Sequence, residues 1–433
     1  MLRKQIQLGF IHVAVAMTLV PINSTLNRVM IKELAISATL VAIMASLPYL
    51  LSPIQVAIGS YSDRHPILRR YRTPYILIGL LLCVAGVAIA PQIAFLIAED
   101  FWLGLLIGIL AFGAWGMGYN FAAVSYLSLA SELSGEKERG RTIAVMWFMM
   151  ITGIILTAVI LSRLVDPYSP AALQRAFWIV GAAALVLGLL GLVNLESRSI
   201  KKRSGEVRYS WNTMIQTIWG NPHARLFFWY LIILLAALLG QDILLEPFAA
   251  EAFQMSVRET TRITSFWGIF VLAAILLTGW LETRLAKRTL AVWGGWVAFL
   301  GFLLIVFSGV FLNQAIFFSG VVLLGAGTGI STVSNLALML DMTVAGQVGL
   351  FIGAWGMANA ISRLVGSVLG GIGRDLITQV SGNSILGYLV VFGVMAGFML
   401  ISLAMLARID INAFRKEERK VSVVERAAMS SDA

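Results

Sequence analysis

The sequence predicts an all-α integral membrane protein, with twelve transmembrane helices arranged as two six-helix halves. Three observations predict it. Of the 433 residues, 59% are hydrophobic and 12% charged, and the mean hydropathy is +0.87, which is more apolar surface than a water-soluble core can hide. The apolar stretches recur at lengths of about 20 residues, enough for a helix rising about 1.5 Å per residue to cross roughly 30 Å of hydrocarbon. They also lack the alternation that a membrane β-barrel would require.

In chain order, the first span is expected at 6–28. It carries His12 and a polar outer end from Asn23 to Arg28, and with no A-x-A-like cleavage site it is expected to be retained. The second, 38–61, closes on the turn that contains Gly59, and the third, 74–97, follows Arg72-Thr73-Pro74 and holds Cys83. The fourth and fifth, 102–131 and 142–163, flank the basic segment Lys137, Arg139 and Arg141, and the sixth is 176–195. The seventh, 226–249, contains Gln241, Asp242 and Glu246-Pro247. The eighth to tenth are expected at 261–283, 290–312 and 315–340, the eleventh at 350–373 with Arg363 inside it, and the twelfth at 385–407. The longest connection carries Ser199-Ile200-Lys201-Lys202-Arg203-Ser204-Gly205 and divides the spans six and six. The expected organisation is therefore an N-terminal half, 1–195, a cytoplasmic linker, 196–225, a C-terminal half, 226–408, and a cytoplasmic tail, 409–433, in contact with anionic lipid.

The formal charge of +10 does not point to nucleic acid, because the basic residues stand in short clusters between apolar segments. With both termini on one side, 24 of the 32 Lys and Arg fall in that side's segments, seven on the opposite side, and Arg363 within a span. That bias places both termini in the cytoplasm of a multi-pass protein. One cysteine provides neither a disulfide framework nor a metal cluster, and no nucleophile–base pair or phosphate loop is present, so no enzyme is expected.

The chain repeats itself weakly. An offset of 209 residues pairs Glu132 with Asp341, Gly140 with Gly349 and Asp166 with Asp375, and an offset of 220 pairs Gly59 with Gly279 and Arg64 with Arg284. Parallel repeats of this kind mark two-lobed transporters. The segment Gly59-Ser60-Tyr61-Ser62-Asp63-Arg64-His65 resembles the signature between helices two and three of the major facilitator superfamily. Glu132 with Arg139-Gly140-Arg141 resembles the matching element between helices four and five. The resemblance implies a major facilitator fold with gating residues Gly59, Asp63, Arg64, Glu132 and Arg139; the alternative is loop charge that serves topology alone. The second half departs from the pattern at Thr283, which stands opposite Asp63.

Ionisable groups inside a membrane span are expensive and mark candidate sites. On the first helix His12, Ala16, Leu19, Asn23 and Asn27 share one face. Asp242 and Glu246 lie one turn apart on the seventh. They can carry protons, pair with Arg28, Arg258, Arg262 or Arg363, or bind a ligand. Arg363 is expected to form a buried ion pair with one of them, and Arg363→Ala to lower detergent stability more than Arg374→Ala. A neutral His12 can ligate a metal, including the magnesium of a chlorin, or simply pack as a hydrogen-bonded histidine.

Three runs together resemble the bacteriochlorophyll-delivery, PucC-type, family of that superfamily. They are Thr25-Leu26-Asn27-Arg28-Val29-Met30-Ile31 with Glu33-Leu34, Ser62-Asp63-Arg64-His65 leading to Arg72-Thr73-Pro74-Tyr75-Ile76, and Gln241-Asp242-Ile243-Leu244-Leu245-Glu246-Pro247-Phe248. What the resemblance implies is a delivery or assembly factor for light-harvesting or other chlorophyll-binding membrane proteins. Its cargo would be chlorophyll or bacteriochlorophyll, held by Asn23, Asn27, Arg28, Gln241, Asp242 and Glu246, and its home a bacterial cytoplasmic, intracytoplasmic or thylakoid membrane. The alternative from the residues is a proton-coupled secondary transporter of a small amphipathic solute, with Asp242 or Glu246 as the proton carrier.

Overall fold

The computed structural model describes residues 2–197, 219–341 and 348–409, and these are almost wholly helical. Most of the expected linker and tail, at 198–218 and 410–433, lies outside the described residues, as does the side chain of Arg139.

Among the described residues, ten helical stretches are long and apolar enough to cross a membrane. α1 (Leu2–Pro21) passes through Pro21 into two π-helical turns, Ile22–Leu26 and Val29–Glu33, so the first span runs to Glu33 and not to 28. Proline has no N–H to return to the preceding turn, which favours a widened helix just beyond it. The expected second span is three pieces, α2 (Ala38–Ala45), α3 (Leu47–Leu50) and α4 (Ile54–Arg64), interrupted next to Pro48 and Pro53 for the same reason. α5 (Thr73–Glu99) follows. α6 (Phe101–Leu164) contains two spans, Phe101–Ser134 and Gly140–Leu164. It is not a rod: Ser134 Oγ and Thr142 Oγ1, about 12 Å apart along a straight helix, meet at 2.7 Å, so the chain doubles back between them. α7 (Pro170–Leu192) begins on a Ser169 cap with proline at its first position.

α8 (Pro222–Gly240) ends in a tight 3₁₀ turn, Gln241–Ile243, before α9 (Leu245–Phe253). Pro247 dictates this break. It cannot donate to the carbonyl of Ile243, yet in the first turn of a new helix its missing N–H is one that has no intrahelical partner anyway. α10 (Val257–Leu281), α11 (Lys287–Phe311), α12 (Gln314–Asp341), α13 (Val348–Ser381) and α14 (Ser384–Arg408) complete the bundle. α13 stands where the eleventh span was expected but is not among the ten, since Asn359, Arg363, Arg374 and Asp375 lower its apolarity.

α1, α5, α6 and α7 pack on one another, and so do α8 and α10 to α14; the two sets meet where α2 lies on α13 and α6 on α10. Leu2 and Arg408 share one end of the bundle, here the terminal end, and the opposite end is the distal end. α8 crosses α13 backbone to backbone. A Cβ on Gly240 would lie 2.7 Å from the Gly366 carbonyl carbon, and one on Gly366 would strike the Ala236 carbonyl oxygen, so only glycine permits this approach.

Candidate functional site

The break between α8 and α9 faces the first π-helical turn after α1, and the polar residues of both segments collect there. Asp242 is held at each oxygen: Gln241 Nε2 donates to Oδ1 at 2.7 Å and Arg363 Nη1 to Oδ2 at 2.7 Å. The Arg363 guanidinium also lies over the Tyr49 ring, 5.1 Å from its centroid. One turn on, Glu246 is buried, and its Oε1 accepts from Ser24 Oγ at 2.5 Å and Thr264 Oγ1 at 2.6 Å. Ser24 belongs to the first set of helices and Thr264 to the second, so this carboxylate joins the two. No cation lies within ion-pair distance of it among the described residues. Glu246 Oε2 and Gln241 Oε1 are both buried without a hydrogen-bond partner. A buried acceptor in that condition costs about 1–3 kcal/mol.

The sequence-predicted residues separate into groups. Gln241, Asp242 and Arg363 form one cluster and Glu246 adjoins Ser24, with Asn23 next to it in the chain. Asn27 and Arg28 turn elsewhere. Asn27 Nδ2 donates to the Asn23 carbonyl at 2.8 Å, while Arg28 pairs with Glu33 through Nη1 and donates through Nη2 to the Met255 carbonyl at 3.1 Å. Both are distal-end ties, the second between the two sets of helices. His12 packs inside the first set, 5.0 Å from Tyr126 and 6.3 Å from Trp147 between ring centroids, with Nδ1 sealed from solvent and unpartnered. No group of three or more metal-ligating side chains occurs among the described residues.

Among the gating residues the organising group is Arg72. Its Nη2 donates to Asp63 Oδ1 at 2.5 Å, its Nε to Glu132 Oε1 at 3.0 Å and its Nη1 to Ser62 Oγ at 2.6 Å. Gly59 is buried in α4, and Arg64 is exposed outside this network. Glu196 completes the arrangement. Its carboxylate, just past α7, accepts from the backbone N–H groups of Tyr71 at 2.8 Å and Thr73 at 2.7 Å, and from that of Arg72 at 3.1 Å, capping the start of α5.

At the distal end, Asp375 accepts from the Thr39 N–H and hydroxyl at 2.8 and 2.7 Å and from the Ala38 N–H at 3.2 Å, capping α2 from α13. Its repeat mate Asp166 pairs with Arg258 at 2.6 Å, at the start of α10. Arg374 pairs with both Glu251 and Asp375 and lies over Tyr388. It is 12% exposed and has two carboxylate partners, where Arg363 is 26% exposed and has one. Among the described residues, every side-chain hydrogen bond between the two sets of helices lies in the distal half of the bundle. Tyr49, Ser24, Thr264, Arg72 and Glu196 were not among the residues singled out as a site. Arg72 carried a signal in the sequence as part of a motif, and Ser24 as part of the polar outer end of the first span.

The fold is that of the major facilitator transporters. A nucleoside transporter, NupG, superposes with a TM-score of 0.73 at 14% identity, over 94% of this chain and 98% of its own. In sequence the chain is similar to Protein PucC of Cereibacter sphaeroides, 30% identical over 93% of this chain and 91% of that protein. It is also similar to the bacteriochlorophyll synthase 44.5 kDa chain of Rhodobacter capsulatus, 28% identical over 86% and 87%. Residues 25–414 match the family described as PUCC protein, a stretch that takes in the second π-helical turn, the Arg72 network and the α8–α9 break alike, and the chain therefore belongs to the PUCC protein family.

Proposed function

We propose that this chain is a membrane delivery or assembly factor that receives chlorophyll or bacteriochlorophyll and passes it to light-harvesting or other chlorophyll-binding proteins, without enzymatic turnover. The observation that carries this reading is the family match along residues 25–414, with relatives named for PucC and for a bacteriochlorophyll synthase chain. The physical chemistry agrees with it. A chlorin with a long hydrocarbon tail partitions into lipid, and a two-lobed bundle offers a seam in which polar side chains can orient the ring. The excess of Lys and Arg on the terminal side supports a topology with both termini in the cytoplasm of a photosynthetic bacterium's cytoplasmic, intracytoplasmic or thylakoid membrane.

The test is an absorption spectrum and pigment extract of the full chain purified gently from its native membrane, with co-purifying proteins identified. Chlorin absorbance near one equivalent, or a chlorophyll-binding partner, is the expected result. A colourless, partner-free preparation overturns the proposal. A second reading, a proton-coupled transporter of an amphipathic solute, is favoured by the transporter fold and by Glu246, a buried carboxylate with no ion-pair partner among the described residues. It requires solute flux in proteoliposomes that Glu246→Gln abolishes.

A further inference from the structure

Between α4 and α5, at the terminal end of the bundle, residues 65–72 form a closed hairpin. Ile67 and Arg70 exchange backbone hydrogen bonds, N–H to carbonyl, at 3.0 Å in each direction. The two residues of the turn, Leu68 and Arg69, both have left-handed backbones, with φ of 52° and 62°. A two-residue hairpin of this kind ordinarily takes Asn-Gly or Asp-Gly, because a larger side chain is strained there. The flanks hold it in place nonetheless. Tyr75 donates its hydroxyl to the His65 carbonyl at 2.7 Å, the His65 ring stacks on Tyr61 with 4.1 Å between centroids, and the Glu196 carboxylate caps Tyr71, Arg72 and Thr73.

What this strained turn displays is an apolar tip. Leu68 is 81% exposed and Ile67 40%, with Arg64 and Arg69 exposed beside them and Arg70 half-buried. Of the four arginines between 64 and 72, Arg72 is paired with carboxylates; Arg64, Arg69 and Arg70 have no such partner among the described residues. Packing explains neither the exposed tip nor the surplus of positive charge, and backbone strain that the surroundings impose collects where function needs a side chain placed.

Apolar side chains ringed by guanidinium groups are the composition of an element that sits in a membrane interface and meets anionic lipid. The position fits as well. The hairpin stands where α4 and α5 leave the hydrocarbon, and Tyr61, 57% exposed in the last turn of α4, is a residue type that favours that level. Other occupants fit less well. The linker, with Lys201, Lys202 and Arg203, carries the same sign of charge. A folded protein partner commonly buries about 800 Å² on each side, far more than a two-residue tip supplies. We propose that this hairpin docks on anionic phospholipid of the leaflet at the terminal end, with Ile67 and Leu68 entering the interfacial layer and Arg64, Arg69 and Arg70 taking the phosphates.

The experiment labels Leu68→Cys with a fluorophore in the full chain, where the native Cys83 is buried. The protein is placed in nanodiscs of phosphatidylcholine alone, or of phosphatidylcholine and phosphatidylglycerol in equal parts. The expected result is quenching of the label by brominated lipid about twofold or more stronger in the anionic discs, a difference that high salt, or Arg64→Gln with Arg69→Gln, reduces. Without any label, Leu68→Gly keeps the turn and removes the wedge, and should lower the phosphatidylglycerol that the chain retains through detergent washing. A label open to aqueous iodide in both discs overturns the proposal. So does equal quenching by brominated lipid in both, which means a wedge indifferent to headgroup charge. A label shielded from iodide yet not reached by brominated lipid overturns it too, because protein then covers the tip. None of these outcomes involves pigment, so each leaves the delivery reading where it stands.

Discussion

Asp242 and Arg363 satisfy one another in a part of the bundle where neither could be stable alone. Removing one member of a buried ion pair costs about 3–5 kcal/mol when burial is complete. With side chains 26% and 23% exposed, Arg363→Ala or Asp242→Ala is expected near the lower end, about 3 kcal/mol, read as a fall in detergent melting temperature. The double variant Asp242→Leu with Arg363→Met should recover much of that loss. Arg374→Ala leaves the Glu251 and Asp375 carboxylates without their cation at once and should lower the melting temperature further than Arg363→Ala; the opposite order would mean that the Arg374 cluster is well hydrated. That Asp242 and Arg363 find each other was legible in the sequence, because opposite charges inside apolar spans have few alternatives. Tyr49 and Thr264 were not legible, being neutral residues whose roles depend on which helix faces which, and Ser24 was legible only as part of a polar helix end. The sequence also pointed to Asp63 and Arg64, neighbours in the chain, as gating residues. Residues i and i+1 of a helix do not face each other, and it is Arg72, returning at the start of α5, that reaches Asp63.

Helices here are positioned by their ends and their closest approaches. Glu196 gives α5 an N-terminal acceptor supplied by a different helix, so Glu196→Ala should cost about 1–2 kcal/mol, the usual range for a lost cap, while Glu196→Gln, which keeps an amide oxygen, should cost less. Gly366 is a more severe test. Overpacking costs about 1–3 kcal/mol where side chains can yield, but the atom in the way at Gly366 is the Ala236 backbone oxygen, so Gly366→Ala should cost at least that much and reduce the yield of monodisperse protein in size-exclusion chromatography. Gly393 on α14 has nothing near it, and Gly393→Ala should be neutral or slightly stabilising. The lengths of most spans could be read from hydropathy alone. The division of the second into three pieces and of the seventh into two was signposted by Pro48, Pro53 and Pro247, but hydropathy reads straight through a proline whose neighbours are apolar.

At the scale of the molecule, Asp166 and Asp375 are the same position in the two repeats, and each ties its helix to the opposite lobe at the distal end. The tie at Asp166 is a salt bridge with partners 40% and 43% exposed and contributes under about 1 kcal/mol. The tie at Asp375 is a partly buried cap and contributes more. Asp166→Ala together with Asp375→Ala should therefore raise the labelling of a Thr25→Cys variant by a membrane-impermeant maleimide several-fold over the same variant with both aspartates intact. Unchanged labelling would mean that apolar packing alone keeps the distal end shut. Cys83 is buried and should stay silent in both.

Clasping two lobes at one rim makes each of them a lever with its fulcrum at the clasp. Over an arm of roughly 30 Å, the thickness of the hydrocarbon, a rotation of about 5° moves the far rim by only about 3 Å, and a gap of about 10 Å needs close to 20°. On the delivery reading proposed above, a flat pigment that enters edge-on between the levers needs the smaller swing and one that enters face-on the larger, so the placing of the clasp would favour edge-first passage from the surrounding lipid.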